Sequence, residues 1–438
     1  MAEPSNSERF IFRLSLALVS LHVVDDNFLQ PQPGTSAGDH VVSGLVPLAL
    51  LAAGALVHHR LRAGARGALA MFLGLLALLS GMAEAGYYTM TVGPSGDDYT
   101  GLITIPAGLA MVLLGAIVLW TSRKRDGLVK RISRRTALGV LGLLLLYEVV
   151  SPIGLAYLAT HTQSSTVPAA ELGATHRDVA FKTSDGLRLV GWYVPSKNGA
   201  AIIVFAGRTH TQKQANMLVR HGYGVLLFDR RGEGQSDGDG NMFGWGGERD
   251  ILAAVAFLQD QPDVEHERIG GMGFSVGGEL MLEAAAKSHA LRAVVSEGAG
   301  TRSFSEQLQE LQGPGNWLDY PLYAIQTGAV AVLSNRLPPT KLTDLIPGIR
   351  PRPVLFIWAP DGGNAETMNP TYHKLAGRHA TEWKMEDAQH IHGITAQPAA
   401  YERRVTAFFD RALLDPTAAT GGRPVACPDG RRANAVCG

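Results

Sequence analysis

Apolar positions divide this chain into two parts with different periods. Up to about residue 160 they form long runs, at Phe10–Val24, Val41–Val57, Gly67–Thr91, Gly101–Trp120 and Thr136–Thr160. The last three are long enough to cross a bilayer as helices, and the second is adequate if it extends to His59. The first is short and carries Arg13; it has the length of a signal-peptide core, but no clear small-x-small cleavage site follows it. The expectation is an all-α transmembrane domain of about five helices over residues 1–160, with the lipid bilayer as its partner.

Residues 161–175 are polar, with Ser, Thr and a Pro, and read as a linker. Beyond them the period shortens. Val179–Thr183 and Leu187–Val194 flank Ser184-Asp185-Gly186 and predict a hairpin. Buried strands are expected at Ala200–Ala206, Gly224–Asp229, Arg268–Phe274, Leu291–Ser296, Pro353–Trp358 and Ala380–Met385. Helical patterns fall between them, at Gln212–Arg220 and Glu248–Asp260. Strands alternating with helices predict an α/β domain over 176–414, a doubly wound, mostly parallel sheet of eight strands with one antiparallel edge. Residues 415–438 form a C-terminal tail.

Charge adds orientation. Arg60, Arg62 and Arg66 lie between the second and third apolar runs, and Arg123, Lys124, Arg125, Lys130, Arg131, Arg134 and Arg135 between the fourth and fifth. The other two loops hold Asp25, Asp26 and Asp39, then Asp97 and Asp98, without Lys or Arg. Basic loops stay in the cytoplasm, so the α/β domain is expected outside it, on a multi-pass protein of the cell membrane. Glu84 and Glu148 lie inside expected spans, where an acid is costly, but no partner pattern marks an ion path. The formal net charge is +0, which gives no electrostatic case for nucleic acid. Cys427 and Cys437, both in the tail, would close a small disulfide loop in an oxidising exterior. No metal-ligand cluster or phosphate loop is present, so no cofactor is expected, and oligomeric state is not encoded legibly.

The chemistry centres on Gly273-Phe274-Ser275-Val276-Gly277, between a predicted strand and a predicted helix. Gly-x-Ser-x-Gly in that context is a nucleophile elbow: small residues permit a tight turn that lifts the serine hydroxyl above the sheet. Serine then needs a base, and the base needs an orienting carboxylate.

With the elbow on the fifth strand, residues 176–414 resemble the α/β-hydrolase fold family, in its carboxylesterase, dienelactone-hydrolase and serine-peptidase-like branches. Asp229-Arg230-Arg231-Gly232-Glu233-Gly234-Gln235-Ser236 looks like the family's loop after the fourth strand, with Asp250 at its usual place in the next helix. The resemblance implies chain order Ser, acid, His. It selects His390 over His392 in Ala388-Gln389-His390-Ile391-His392-Gly393, and leaves the acid open between Asp361 and Glu366. It implies an oxyanion hole from the backbone N–H groups of Val276 and Arg208; the Arg208 guanidinium could also hold an anionic substrate group. Residues 298–347 are where the family carries a lid. The function so implied is a membrane-anchored serine hydrolase acting on ester, thioester or amide bonds of a small acyl-containing or peptide substrate. The other reading is a membrane binding, sensing or transport protein whose hydrolase-like domain is catalytically silent.

Overall fold

The computed structural model describes residues 3–82, 98–121, 127–161, 167–205, 207–310, 316–361 and 366–415. Glu84, Asp97, Arg123, Lys124, Arg125, Cys427 and Cys437 therefore lie outside the described residues. The first part is helical: α1 (Asn6–Val24), α2 (Val41–His58), α3 (Ala63–Gly81), α4 (Asp98–Thr121), α5 (Leu128–Leu145) and α6 (Ser151–Thr160). A π-helical turn, Leu146–Val150, joins α5 to α6. Among the described residues, four segments are long and apolar enough to cross a membrane: Val41–His58, Ala63–Gly81, Tyr99–Thr121 and Ile132–Thr160. The first apolar run is not among them. It forms α1, whose Phe12 and Leu16 pack into the bundle while Phe10 and Leu14 stay exposed.

Two of these helices touch along glycines at heptad spacing. Gly67, Gly74 and Gly81 of α3 face Gly115, Gly108 and Gly101 of α4. A Cβ on Gly74 would lie 2.7 Å from the Gly108 carbonyl oxygen, and one on Gly115 2.5 Å from that of Gly67. Small residues let apolar helices approach closely where no hydrophobic effect drives them together. Arg66 also differs from the expectation of a loop charge. It is buried within α3, its Nε 2.7 Å from Glu8 Oε1 of α1, because a guanidinium without water needs a carboxylate.

The second part builds one eight-stranded sheet among the described residues, in the order β1-β2-β4-β3-β5-β6-β7-β8. The strands are β1 (Arg177–Lys182), β2 (Arg188–Val194), β3 (Ala201–Phe205), β4 (Gly224–Phe228), β5 (Ile269–Phe274), β6 (Leu291–Glu297), β7 (Val354–Trp358) and β8 (Ala380–Lys384). β2 is antiparallel to both β1 and β4; the other pairings are parallel. The helices are α7 (Gln212–Arg220), α8 (Glu248–Gln259), α9 (Val276–Lys287), α10 (Phe304–Glu310), α11 (Asp319–Leu333), α12 (Leu342–Leu345), α13 (Asn369–Ala376), α14 (Gly393–Ala396) and α15 (Pro398–Phe409).

Side chains alternate across the sheet, so each buried strand feeds two cores. Ala201, Ile203 and Phe205 of β3 meet α8 and α9 through Ile251, Val255 and Leu280. Ile202 and Val204 meet α7 and α15 through Leu218, Val219 and Phe409. The 298–347 insertion packs elsewhere: α11 lies against α6, and Val330 joins Ala156 of α6 and Trp245 in a separate apolar cluster. Replacing Gly74 by Leu should wedge α3 from α4 and cost roughly 1–3 kcal/mol, read as a lowered thermal transition in detergent. Gly139→Leu, where a Cβ meets nothing within 4 Å, should leave that transition in place.

Candidate active site

β5 ends at Phe274 and α9 begins at Val276, so Ser275 alone makes the turn. Its backbone sits at φ 51°, ψ −126°, a region that costs a non-glycine residue free energy. Two neighbours hold it there. The Ser275 N–H donates to the Glu297 carbonyl of β6 at 2.9 Å. Gly273 supplies the missing bulk, since a Cβ there would lie 2.2 Å from the Gly277 oxygen.

His390 Nε2 is 2.9 Å from Ser275 Oγ. On its other side, His390 Nδ1 is 2.5 Å from Glu366 Oε1. A carboxylate can only accept, so Nδ1 carries the proton and Nε2 accepts from the serine hydroxyl. Glu366 is itself oriented: its Oε2 accepts from the Ala359 N–H at 2.8 Å, just past β7, and the residue is 2% exposed. Asp361 lies exposed in the turn after β7 and is not brought to His390. His392 is exposed too, on the outer side of the loop, beside a cleft of about 880 Å³ lined also by His210 and Lys213.

Val276 opens α9, so its N–H has no acceptor within the helix and sits at the positive end of the dipole. Phe205 pairs with Gly273 in the parallel register, so Arg208 and Val276 each follow three residues beyond that pair, at the same edge of the sheet. The Arg208 side chain departs from the expectation that it could hold an anionic substrate group. It is neither solvated nor free for a substrate anion, being 2% exposed with its Nε 3.0 Å from Asp229 Oδ1. Its second nitrogen also meets Asp229, and its guanidinium lies over the Trp192 ring at 4.8 Å. Burial forces that pairing, because a lone guanidinium in the core is very costly. Arg231 is spent in the same way on Asp250 and Asp185, at 2.6 Å and 2.9 Å. The glycine-rich loop after β4 is thus pinned by buried ion pairs.

Sequence reasoning missed the second layer. Glu297, the last residue of β6, accepts the Gly393 N–H at 2.9 Å and the Tyr401 hydroxyl, tying the loop after His390 to the strand beside the elbow. Burial pushes its carboxyl up to about 7, against those two bonds, which favour the ionised form. Gly298 follows, and a Cβ there would lie 3.0 Å from His390 Cε1. The available signal was an acid ending an apolar strand. Glu279, in the first turn of α9, is likewise pushed up to about 7 by burial.

Part of the chain is similar to known proteins. A profile described as X-Pro dipeptidyl-peptidase (S15 family) matches residues 170–345. Over 126 residues the chain is 37% identical to an uncharacterized protein of Mycobacterium tuberculosis, covering 27% of this chain and 42% of that one. Over 130 residues it is 32% identical to the thiohydrolase aneE of Aspergillus aculeatus, covering 28% and 41%. The chain thus spans less than half the length of these relatives. Among solved structures, the esterase Pf2001 of Pyrococcus furiosus is similar at a TM-score of 0.47 and 20% identity, covering 58% of this chain and 98% of that chain. From β1 to α15 the chain has the α/β-hydrolase fold.

Glu297 gives a pH test. A shift from the ordinary 4.5 to about 7 amounts to on the order of 3 kcal/mol. The folded chain keeps this proton where the unfolded chain loses it, so stability falls as pH rises from about 4.5 through 7. Glu297→Gln should flatten the decline in melting temperature across that window; an unchanged slope would contradict the assignment.

Proposed function

We propose that this protein is a membrane-anchored serine hydrolase that cleaves carboxylic ester or thioester bonds, with amides also within reach, through Ser275, His390 and Glu366. The observation that carries the reading is the hydrogen-bonded line from Ser275 Oγ through the imidazole to a buried, separately oriented carboxylate.

In the proposed reaction His390 Nε2 takes the Ser275 proton as Oγ bonds to the substrate carbonyl carbon. The carbonyl electrons move to an oxyanion facing the N–H groups of Val276 and Arg208. Glu366 keeps the imidazole in the required tautomer and offsets its positive charge. Collapse expels the leaving alkoxide, thiolate or amine, which takes the proton from His390. Water then gives a proton to His390 and adds to the acyl carbon; Ser275 leaves and recovers its proton. The thiohydrolase name of one relative supports keeping thioesters in the substrate class.

The two loops of the helical part that carry the Lys and Arg residues set the proposed orientation, with those loops in the cytoplasm and the hydrolase domain outside it. Contacts support part of it: Gly238 N–H donates to the Pro33 carbonyl of the α1–α2 loop at 2.8 Å, so that loop and the domain lie at the same end of the helices. Residues 1–160, the 161–175 linker, 176–414 and the 415–438 tail remain the proposed division, with Cys427 and Cys437 proposed to pair in the tail.

A fluorophosphonate probe should label the folded wild type and leave Ser275→Ala unlabelled. Absence of labelling would sink the enzyme and favour the catalytically silent reading. Glu366→Gln should slow hydrolysis of a p-nitrophenyl ester by roughly 10³–10⁴-fold, while Asp361→Asn should leave it unchanged; the reverse result would make Asp361 the acid. For topology, a membrane-impermeant maleimide applied to intact cells, with Cys427 and Cys437 replaced by Ser, should modify Glu386→Cys and spare Arg60→Cys. The opposite pattern would put the domain in the cytoplasm.

A further inference from the structure

A cavity of about 570 Å³ opens among α1, α2, α3, α6 and α11, apart from Ser275 and within the size range of small-molecule sites. Its walls are apolar, with Leu50 and Leu51 of α2, Leu69 and Leu73 of α3, and Ile325 and Val332 of α11. One end is polar. Asp26 and Asn27, just past α1, and Ser43, in the first turn of α2, line it together with His161 after α6. These groups are fixed to one another: Ser43 Oγ donates to Asn27 Oδ1 at 2.7 Å, and Asn27 Nδ2 to Asp26 Oδ2 at 2.9 Å.

We propose that this cavity binds the acyl chain of a lipid from the leaflet next to the hydrolase domain, with the ester end at the polar rim. The polarity gradient fits that occupant. The rim lies where α1 and α6 end and α2 begins, the end at which Met242 N–H of the hydrolase domain meets the Ala159 carbonyl at 2.8 Å. The apolar depth runs away from that domain, as an acyl chain does from its headgroup. The wall is also continuous with the outer apolar surface: Leu50 and Val57 line the cavity and are exposed on the helices.

One further observation favours a lipid. Gly328 lines the cavity on α11, and a Cβ there meets nothing within 4 Å, so the helix leaves room on that side. The cavity is one loop away from the elbow. Trp245 packs on Ala156 and Val330, and a Cβ on nearby Gly244 would lie 2.7 Å from Val276 Cγ1. A lipid ester as the substrate rests on the hydrolase reading above; the binding of the chain does not.

The test uses the full chain in phosphatidylcholine nanodiscs with a palmitic acid bearing a diazirine near its methyl end. Crosslinks are expected on peptides containing Leu50, Leu73 and Val332, and unlabelled palmitate should suppress them. Gly328→Trp should reduce them about tenfold, while Gly328→Ala keeps them. Val332→Trp fills the cavity from a second position should the first variant fail to fold, which its melting transition reports. Labelling that palmitate cannot saturate, or that survives tryptophan in a folded variant, overturns the proposal. A wild type that crosslinks saturably but resists fluorophosphonate keeps the lipid site and loses the hydrolase.

Discussion

The site depends on one backbone conformation. Ser275 is a non-glycine residue at φ 51°, an arrangement that costs on the order of 1–3 kcal/mol. It persists because its surroundings leave no alternative. The Gly277 carbonyl fills the space a Cβ at 273 would need, and Glu297 holds the Ser275 amide. The same Glu297 reaches with its carboxyl to Gly393, three residues past His390. One residue of β6 therefore fixes Ser275 and the loop after His390 relative to each other, through its carbonyl and its side chain. Glu366 completes the arrangement from the next strand, β7, through the Ala359 amide.

Around this turn the domain buries more charge than stability alone would favour. Asp250 is 0% exposed and Arg208 2% exposed. A buried ion pair seldom stabilises more than well-packed apolar residues would, whereas breaking one leaves a bare charge. Such pairs act by excluding other arrangements. Arg208 with Asp229 ties the loop after β3 to the loop after β4, and Arg231 with Asp250 ties the latter to α8. Both loops border the elbow, so their backbone amides inherit that rigidity. The guanidinium of Arg208 is the cost, since it no longer reaches a ligand.

How much of this was legible follows from the range of each cause. Strand positions were readable because alternation is local, and the observed bounds differ from expectation by two residues or fewer, as at Arg177–Lys182 against Val179–Thr183. Ser275 and His390 were readable because a tight turn and a loop glycine leave short motifs. Asp361 and Glu366 could not be separated, because both fall within reach of β7; the one that turns inward is the one caught by the Ala359 amide, a three-dimensional fact. Arg208 was misread for a similar reason: its partner is 21 residues away. The glycine ladder of α3 and α4 was present as a seven-residue spacing on two helices, but only their packing gives it meaning. The 298–347 insertion carried apolar residues that suit a lid or a core equally, and α11 takes a third course against α6.

That third course bears on why a hydrolase domain is joined to several apolar helices when one would tether it. A tether would leave the domain free to rotate over its linker, with the elbow at no fixed height. Here the domain is held at separate places: Gly238 by the α1–α2 loop, Met242 by the end of α6, and Asp319 of α11 by Tyr147, whose hydroxyl lies 2.6 Å away. Arg302, at the root of the insertion, donates to the Phe243 carbonyl at 2.7 Å and pairs with Glu283 of α9 at 2.6 Å. Arg302 of the insertion is thus braced by α9, the helix that begins just after Ser275, and α11 by the apolar bundle. Trp245 meets Ala156 of α6 in the same loop, where a Cβ on Gly244 would lie 2.7 Å from Val276 Cγ1, so one short loop touches both the bundle and the turn at Ser275.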